Sequence, residues 1–138
     1  IKEVIGWAYE IGIKVRGYFQ IGHPTETKEE IEKTIKFANS LPIFTAEFTI
    51  ATPFKGTELY DIAKNYGDFD TSDTSKISQM FPVFVTKGLT KEYLEKKQKE
   101  AHRKFYLKPK KILEFITLIR NHRDVIRYYK GAKILLTA

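Results

Sequence analysis

Two short segments, residues 13–21 and 45–51, most constrain what this chain can fold into. Each alternates apolar and polar side chains, and each runs into a loop marked by glycine and proline and then a helix-like pattern. In the first, Val15, Gly17, Phe19 and Ile21 share one face, while Arg16, Tyr18 and Gln20 share the other. In the second, Ala46, Phe48 and Ile50 oppose Thr45, Glu47, Thr49 and Ala51. Between them Thr27 and Glu30 form an S/T-x-x-E capping box, and Ile31, Ile35, Ala38 and Leu41 mark the apolar face of a helix that ends before Pro42. Residues 2–11 predict a preceding helix stopped at Gly12, and 57–66 a following helix stopped at Gly67. Helix, strand, helix, strand, helix is the pattern of a parallel sheet. A strand covered by helices on both faces is apolar on both. One apolar and one polar side instead predict a barrel or strongly curved sheet whose polar faces line a cavity, or else an edge position with one wet face. Arg16 and Glu47 on an inward face would require partners.

Beyond residue 67 the pattern changes. Residues 68–79 read as a polar surface loop or lid, and 81–85 as a short edge strand or extended segment, Pro82 arguing against a central one. Helices follow over about 91–107, 110–120 and 122–136. The charge is split in the same place: residues 1–69 carry eight Lys/Arg and ten Asp/Glu, whereas 70–138 carry sixteen and seven. A basic half with interleaved aromatics (Phe105, Tyr106, Phe115, Tyr128, Tyr129) fits a surface for single-stranded nucleic acid or an anionic membrane, or simply solvated helix faces with aromatic core positions. The absence of cysteine excludes a disulfide framework and any cysteine-ligated zinc or iron–sulfur site within the chain. Apolar runs are too short for a bilayer span and no signal peptide is visible, so the expected location is the cytoplasm. His23, His102 and His122 lack metal-ligand spacing, and no metal ligands are expected. The chain starts on isoleucine with an amphipathic pattern already running, which predicts a piece of a longer protein.

Both loops follow strands, where ligands bind in α/β folds. Gly22 permits close backbone approach, Pro24 stiffens the loop, and the N–H groups at the Thr27 helix start favour anions. The stretch Arg16-Gly-Tyr-Phe-Gln-Ile-Gly-His-Pro-Thr-Glu-Thr27 resembles the fifth-strand segment of radical SAM enzymes, with Thr25 in place of the usual loop glycine. Phe48-Thr-Ile-Ala-Thr-Pro-Phe-Lys-Gly-Thr-Glu-Leu-Tyr60 resembles the sixth-strand segment. Pro82-Val-Phe-Val85, Gly88-Leu-Thr90 and Lys104-Phe-Tyr-Leu-Lys-Pro109 resemble the tail of the cobalamin-binding members.

The resemblance implies the C-terminal portion of a partial (β/α)6, TIM-like barrel: residues 1–88 as its last strands and helices, 89–138 as a basic helical appendage. It implies adenine contacts of S-adenosylmethionine from Ile21, Gly22 and Pro24 and from Ala51, Thr52 and Pro53, and a substrate cavity lined by Arg16, Tyr18, Gln20, Glu47 and Thr49. The 4Fe–4S cluster, and cobalamin if used, would be held upstream. The parent protein would cleave S-adenosylmethionine reductively to a 5′-deoxyadenosyl radical and act on an unidentified small-molecule substrate, by hydrogen abstraction or methyl transfer. The isolated chain is expected to be inactive, with the missing N-terminal part as its partner and open strand edges as a route to self-association. The alternative reading from another class is a non-catalytic basic module that binds nucleic acid or an anionic membrane.

Overall fold

The computed structural model describes residues 1–70 and 81–137. Its elements follow the order α1 (Lys2–Glu10), β1 (Arg16–Ile21), α2 (Lys28–Ser40), β2 (Thr45–Ile50), α3 (Glu58–Tyr66), β3 (Gly67–Phe69), β4 (Phe84–Thr86), α4 (Lys91–Tyr106), α5 (Pro109–Ile116) and α6 (His122–Thr137). The architecture is mixed α/β. Among the described residues the strands form two separate two-stranded sheets and no closed barrel.

β1 and β2 pair in parallel, with Tyr18 opposite Glu47 and Gln20 opposite Thr49. A residue paired directly opposite another points to the same side of a sheet, so the polar residues of both strands share one face. The other face carries Phe19, Ile21, Ala46, Phe48 and Ile50 into the core with Ile31, Ile35 and Ala38 of α2 and Leu94, Ala101 and Phe105 of α4. Phe19 and Phe48 stack with ring centroids 5.4 Å apart.

Local sequence accounts for the helix boundaries. Thr27 accepts the Glu30 N–H while Glu30 Oε2 accepts the Thr27 N–H, completing the capping box. Thr57 and Thr90 cap α3 and α4 from one side only, accepting from Tyr60 and Tyr93 N–H. α1 ends with the Ile13 N–H on Ala8 O and the Gly12 N–H on Tyr9 O, a Schellman pair.

β1 begins at Arg16, three residues later than the sequence reading, and two boundaries further along the chain also differ. Residues 67–69 form a strand rather than the start of a loop, because Gly67 lies so close to Val85 that a Cβ would sit 2.0 Å from its carbonyl oxygen. The antiparallel β3–β4 pair follows from that approach; residues 71–79 of the expected loop lie outside the described residues. α5 stops at Ile116, about four residues early, where Thr117 turns its hydroxyl back onto Glu114 O.

α2 and α4 are clamped by charge as well as by core packing. Lys97 bonds Glu32 of α2 and Glu100 of its own helix (2.8 Å), and Lys104 reaches Glu100 at 2.6 Å. Hydrogen bonds from Lys104 and Lys97 hold the Glu100 carboxyl at about 2, far below its ordinary range, and the bonds to Glu100 and Glu32 raise Lys97. A depressed carboxyl stabilises the fold above its unfolded pKa and ceases to do so as pH falls through the folded value. Urea unfolding between pH 7 and pH 2 is therefore expected to show stability falling below about pH 4.3. The Glu100→Gln variant is expected to be less stable at pH 7 and to show a shallower acid limb.

Candidate functional site

The loops after β1 and β2 leave the same end of the parallel pair, because Ile21 and Ile50 are register neighbours and the Ala51 N–H continues the ladder onto Ile21 O at 2.8 Å. That end brings together Ile21, Gly22, Ala51, Thr52 and Pro53, all buried, with Pro24 half-buried beside them. Their side chains form a packed floor, and Thr52 Oγ1 donates to Ile50 O at 3.0 Å. Any ligand contact from these positions would come through the main chain rather than through side-chain groups.

The first loop is tightly determined. Gly22 has φ +81°, and a Cβ there would crowd the Leu94 methyls at 3.2–3.3 Å, so conformation and space both require glycine. Glu26 Oε2 accepts the N–H groups of Gly22 and His23, and the Thr27 N–H is taken by Glu30. The N–H groups of Gly22, His23 and Thr27 are thus already engaged by the chain's own carboxylates. Thr25 adopts φ +66°, the left-handed region in which the resembled family uses glycine. Its N–H donates to Thr86 Oγ1 of β4 at 3.0 Å, tying the loop to the second sheet.

The polar face spreads across both strands. Arg16 Nε donates to Thr45 Oγ1 (3.2 Å) and Nη1 reaches the Tyr18 hydroxyl (3.4 Å). The Tyr18 contact pushes the Arg16 pKa further up. Glu47 lies 3.9 Å from His102 Nε2, so both charges that required partners have polar neighbours. Tyr18 is exposed and Gln20, Glu47 and Thr49 are half-buried. Among the described residues no third strand joins β1, and the face is an open surface rather than the wall of a closed cavity.

The outer edge of β2 is a different matter. In a parallel ladder alternate residues turn their N–H and C=O groups away from the partner strand. On β2 those residues include Ala46 and Phe48, and α4 meets them with side chains four residues apart. The Tyr106 hydroxyl donates to Ala46 O (2.8 Å) and accepts from Ala46 N–H (3.1 Å). Gln98 Nε2 donates to Phe48 O (2.9 Å), and the Phe48 N–H donates to His102 Nε2 (3.3 Å). His102 Nδ1 faces Gln98 O at 2.9 Å, and since a carbonyl only accepts, that nitrogen carries the proton. Burial raises the Tyr106 pKa, keeping a neutral hydroxyl that can play both roles. Sequence reasoning read Tyr106 as core or stacking surface and passed over Gln98; the i, i+4, i+8 spacing of Gln98, His102 and Tyr106 was the available signal.

The basic half is also partly structural. Lys111 Nζ donates to Ile43 O (2.6 Å) and Phe44 O (3.0 Å), and Lys108 Nζ to Asn39 O (2.8 Å). Phe105 is buried, and Phe115 packs between Tyr106 and Tyr128.

No family model matches the chain. It is 40% identical over 125 residues to an uncharacterized methyltransferase of Pyrococcus horikoshii, a match that takes in 91% of this chain and 27% of that protein. It is 25% identical over 128 residues to the bacteriochlorophyllide d C-8(2)-methyltransferase of Chlorobaculum tepidum, covering 86% of this chain and 28% of that enzyme. It is 29% identical over 107 residues to the anaerobic magnesium-protoporphyrin IX monomethyl ester cyclase of Cereibacter sphaeroides, covering 78% and 17%. The chain therefore resembles two methyltransferases and a cyclase while spanning only 17% to 28% of their lengths.

Two substitutions test the local account. Thr25→Gly is expected to raise the unfolding free energy by about 0.5–1 kcal/mol, relief of left-handed strain exceeding the entropy glycine costs. Tyr106→Phe is expected to lower it by about 2 kcal/mol, since the ring still fits but the Ala46 N–H and C=O lose their partner. Chemical denaturation of each variant measures both.

Proposed function

We propose that this chain is the C-terminal portion of a radical SAM enzyme of the cobalamin-binding type, supplying the last two strands of a partial (β/α)6 barrel and a helical tail. The observation that carries the reading is the asymmetry of the β1–β2 sheet. The outer edge of β2 is closed by hydrogen bonds from α4 side chains, as suits a terminal strand, whereas no strand among the described residues pairs with the outer edge of β1. Upstream strands of a longer protein would add at β1. The likeness to methyltransferases several times longer than this chain supports the same view.

The residues present suit one cofactor and not the other. Gly22, held at φ +81° beside the adjoining main chain of Ala51–Pro53, offers a close backbone approach over an apolar floor, which fits the adenine of S-adenosylmethionine. The chain has no cysteine, so a 4Fe–4S cluster finds no ligands here and belongs to the upstream part, as does cobalamin. Bound S-adenosylmethionine supplies radical or methyl-transfer chemistry that the protein alone lacks. This chain's own part is to seat the adenine at the two strand ends and to present Arg16, Tyr18, Gln20, Glu47 and Thr49 to the substrate. Arg16 and Glu47 provide opposite charges on that face for orienting polar substituents.

The test is anaerobic reconstitution of the longer natural protein with iron and sulfide. Reductive cleavage of S-adenosylmethionine is expected, and a cluster-loaded sample that leaves it intact would refute the reading. Glu47→Gln in that protein is expected to lower kcat/KM by about tenfold or more, about 1.4 kcal/mol of lost transition-state stabilisation, while S-adenosylmethionine affinity stays unchanged.

A further inference from the structure

α5 and α6 expose apolar side chains to solvent beside basic ones. α5 directs Lys111 and Phe115 inward and leaves Leu113 (63%) and Ile116 (55%) exposed. α6 exposes Val125, Ile126 and Tyr129, which fall on one flank at helical spacing. Arg123, Arg127 and Lys130, at i, i+4 and i+7, form the adjoining strip. Between the two helices runs an apolar groove of about 550 Å³ walled by Tyr106, Ile112, Phe115, Ile116 and Tyr128. Residues 107–138 carry eight Lys/Arg against two acidic residues, Glu114 paired with Lys111 and Asp124 with Arg127 of the strip, which leaves the segment strongly basic.

Different partners make different demands on such a surface. A single-stranded nucleic acid is best held where exposed aromatic faces can stack its bases. Here Phe105 is buried, Tyr106 is committed to β2, Phe115 is packed, and most of the apolar side chains exposed among the cations are aliphatic. A second copy would bring two strongly cationic faces together. An anionic lipid surface complements both properties at once, taking the aliphatic flank into the acyl boundary while its headgroups meet the basic strip. No helix among the described residues is long and apolar enough to cross a membrane, which leaves the interface as the depth of contact. We propose that α5 and α6 dock this protein on an anionic lipid bilayer, with Leu113, Ile116, Val125, Ile126 and Tyr129 entering the interface and Arg123, Arg127 and Lys130 meeting the headgroups. The proposal does not depend on the barrel reading.

Co-sedimentation of the 138-residue chain with vesicles tests it. Binding is expected to phosphatidylcholine vesicles containing phosphatidylglycerol, and not to phosphatidylcholine alone. Arg123→Gln with Lys130→Gln is expected to weaken binding about 25-fold, about fivefold for each cation removed. Leu113→Gln with Ile126→Gln is expected to weaken it about tenfold or more through lost apolar burial. All four positions are solvent-exposed, and circular dichroism verifies that the variants remain folded. No binding of the wild-type chain to anionic vesicles at low salt would overturn the proposal. So would binding indifferent to the Leu113/Ile126 exchange, equal affinity for a single-stranded oligonucleotide, or a solution dimer that buries this face.

Discussion

The outward backbone groups of β2 must find hydrogen-bond partners, and much of the molecule is arranged around meeting that need. An edge strand presents a row of N–H and C=O groups that invite another strand, and proteins cover or blunt such edges. Here the cover is chemical as well as steric: Gln98, His102 and Tyr106, successive on one face of α4, hydrogen-bond Phe48 and Ala46 directly. This fixes the lateral position of α4, which in turn sets Leu94 against Gly22 and Phe105 into the core. The Glu32–Lys97–Glu100–Lys104 cluster then ties α4 to α2. Sheet edge, loop geometry and helix docking form one connected system.

The same arrangement leaves the molecule two-sided. The apolar face of β1 and β2 is covered by α2 and α4, while the polar face bears Arg16, Tyr18, Gln20, Glu47 and Thr49, with Tyr18 exposed and the last three half-buried. Polar groups with access to solvent incur no desolvation cost, so the face is tolerable as an open surface. The loops at its carboxyl end are held by the chain's own groups, Glu26 on Gly22 and His23, and Thr86 on Thr25. Held in this way, the main chain around Gly22 and Ala51 is a preformed shelf.

The basic half divides into two populations with different work. Lys97, Lys104, Lys108 and Lys111 complete ion pairs or neutralise carbonyl groups at the ends of α2 and the entry to β2. The cations of α6 lie farther out, next to an aliphatic flank, and give that end of the molecule its surface character. A single count of Lys and Arg does not separate these roles; the hydrogen-bond partners do.

The helices were legible in the sequence because their signals are local: the Thr27/Glu30 box, Pro42 after α2, Gly12 after α1 and Gly67 after α3. The shared polar face of β1 and β2 was legible too, since side-chain direction alternates with a period of two whatever the partner. The β3–β4 pair escaped because its strands are three residues long and depend on Gly67 meeting Val85 from eighteen positions away. The roles of Gln98, His102 and Tyr106 escaped for the same reason on a larger scale, since their partners lie 50 to 60 residues distant. Sequence by itself determined periodicity, caps and the two-faced strands, which are short-range properties of the chain. Tertiary structure alone decided which edge of the sheet is sealed and which cations are spent inside, because a hydrogen bond is specified by geometry between elements and not by the residue that makes it.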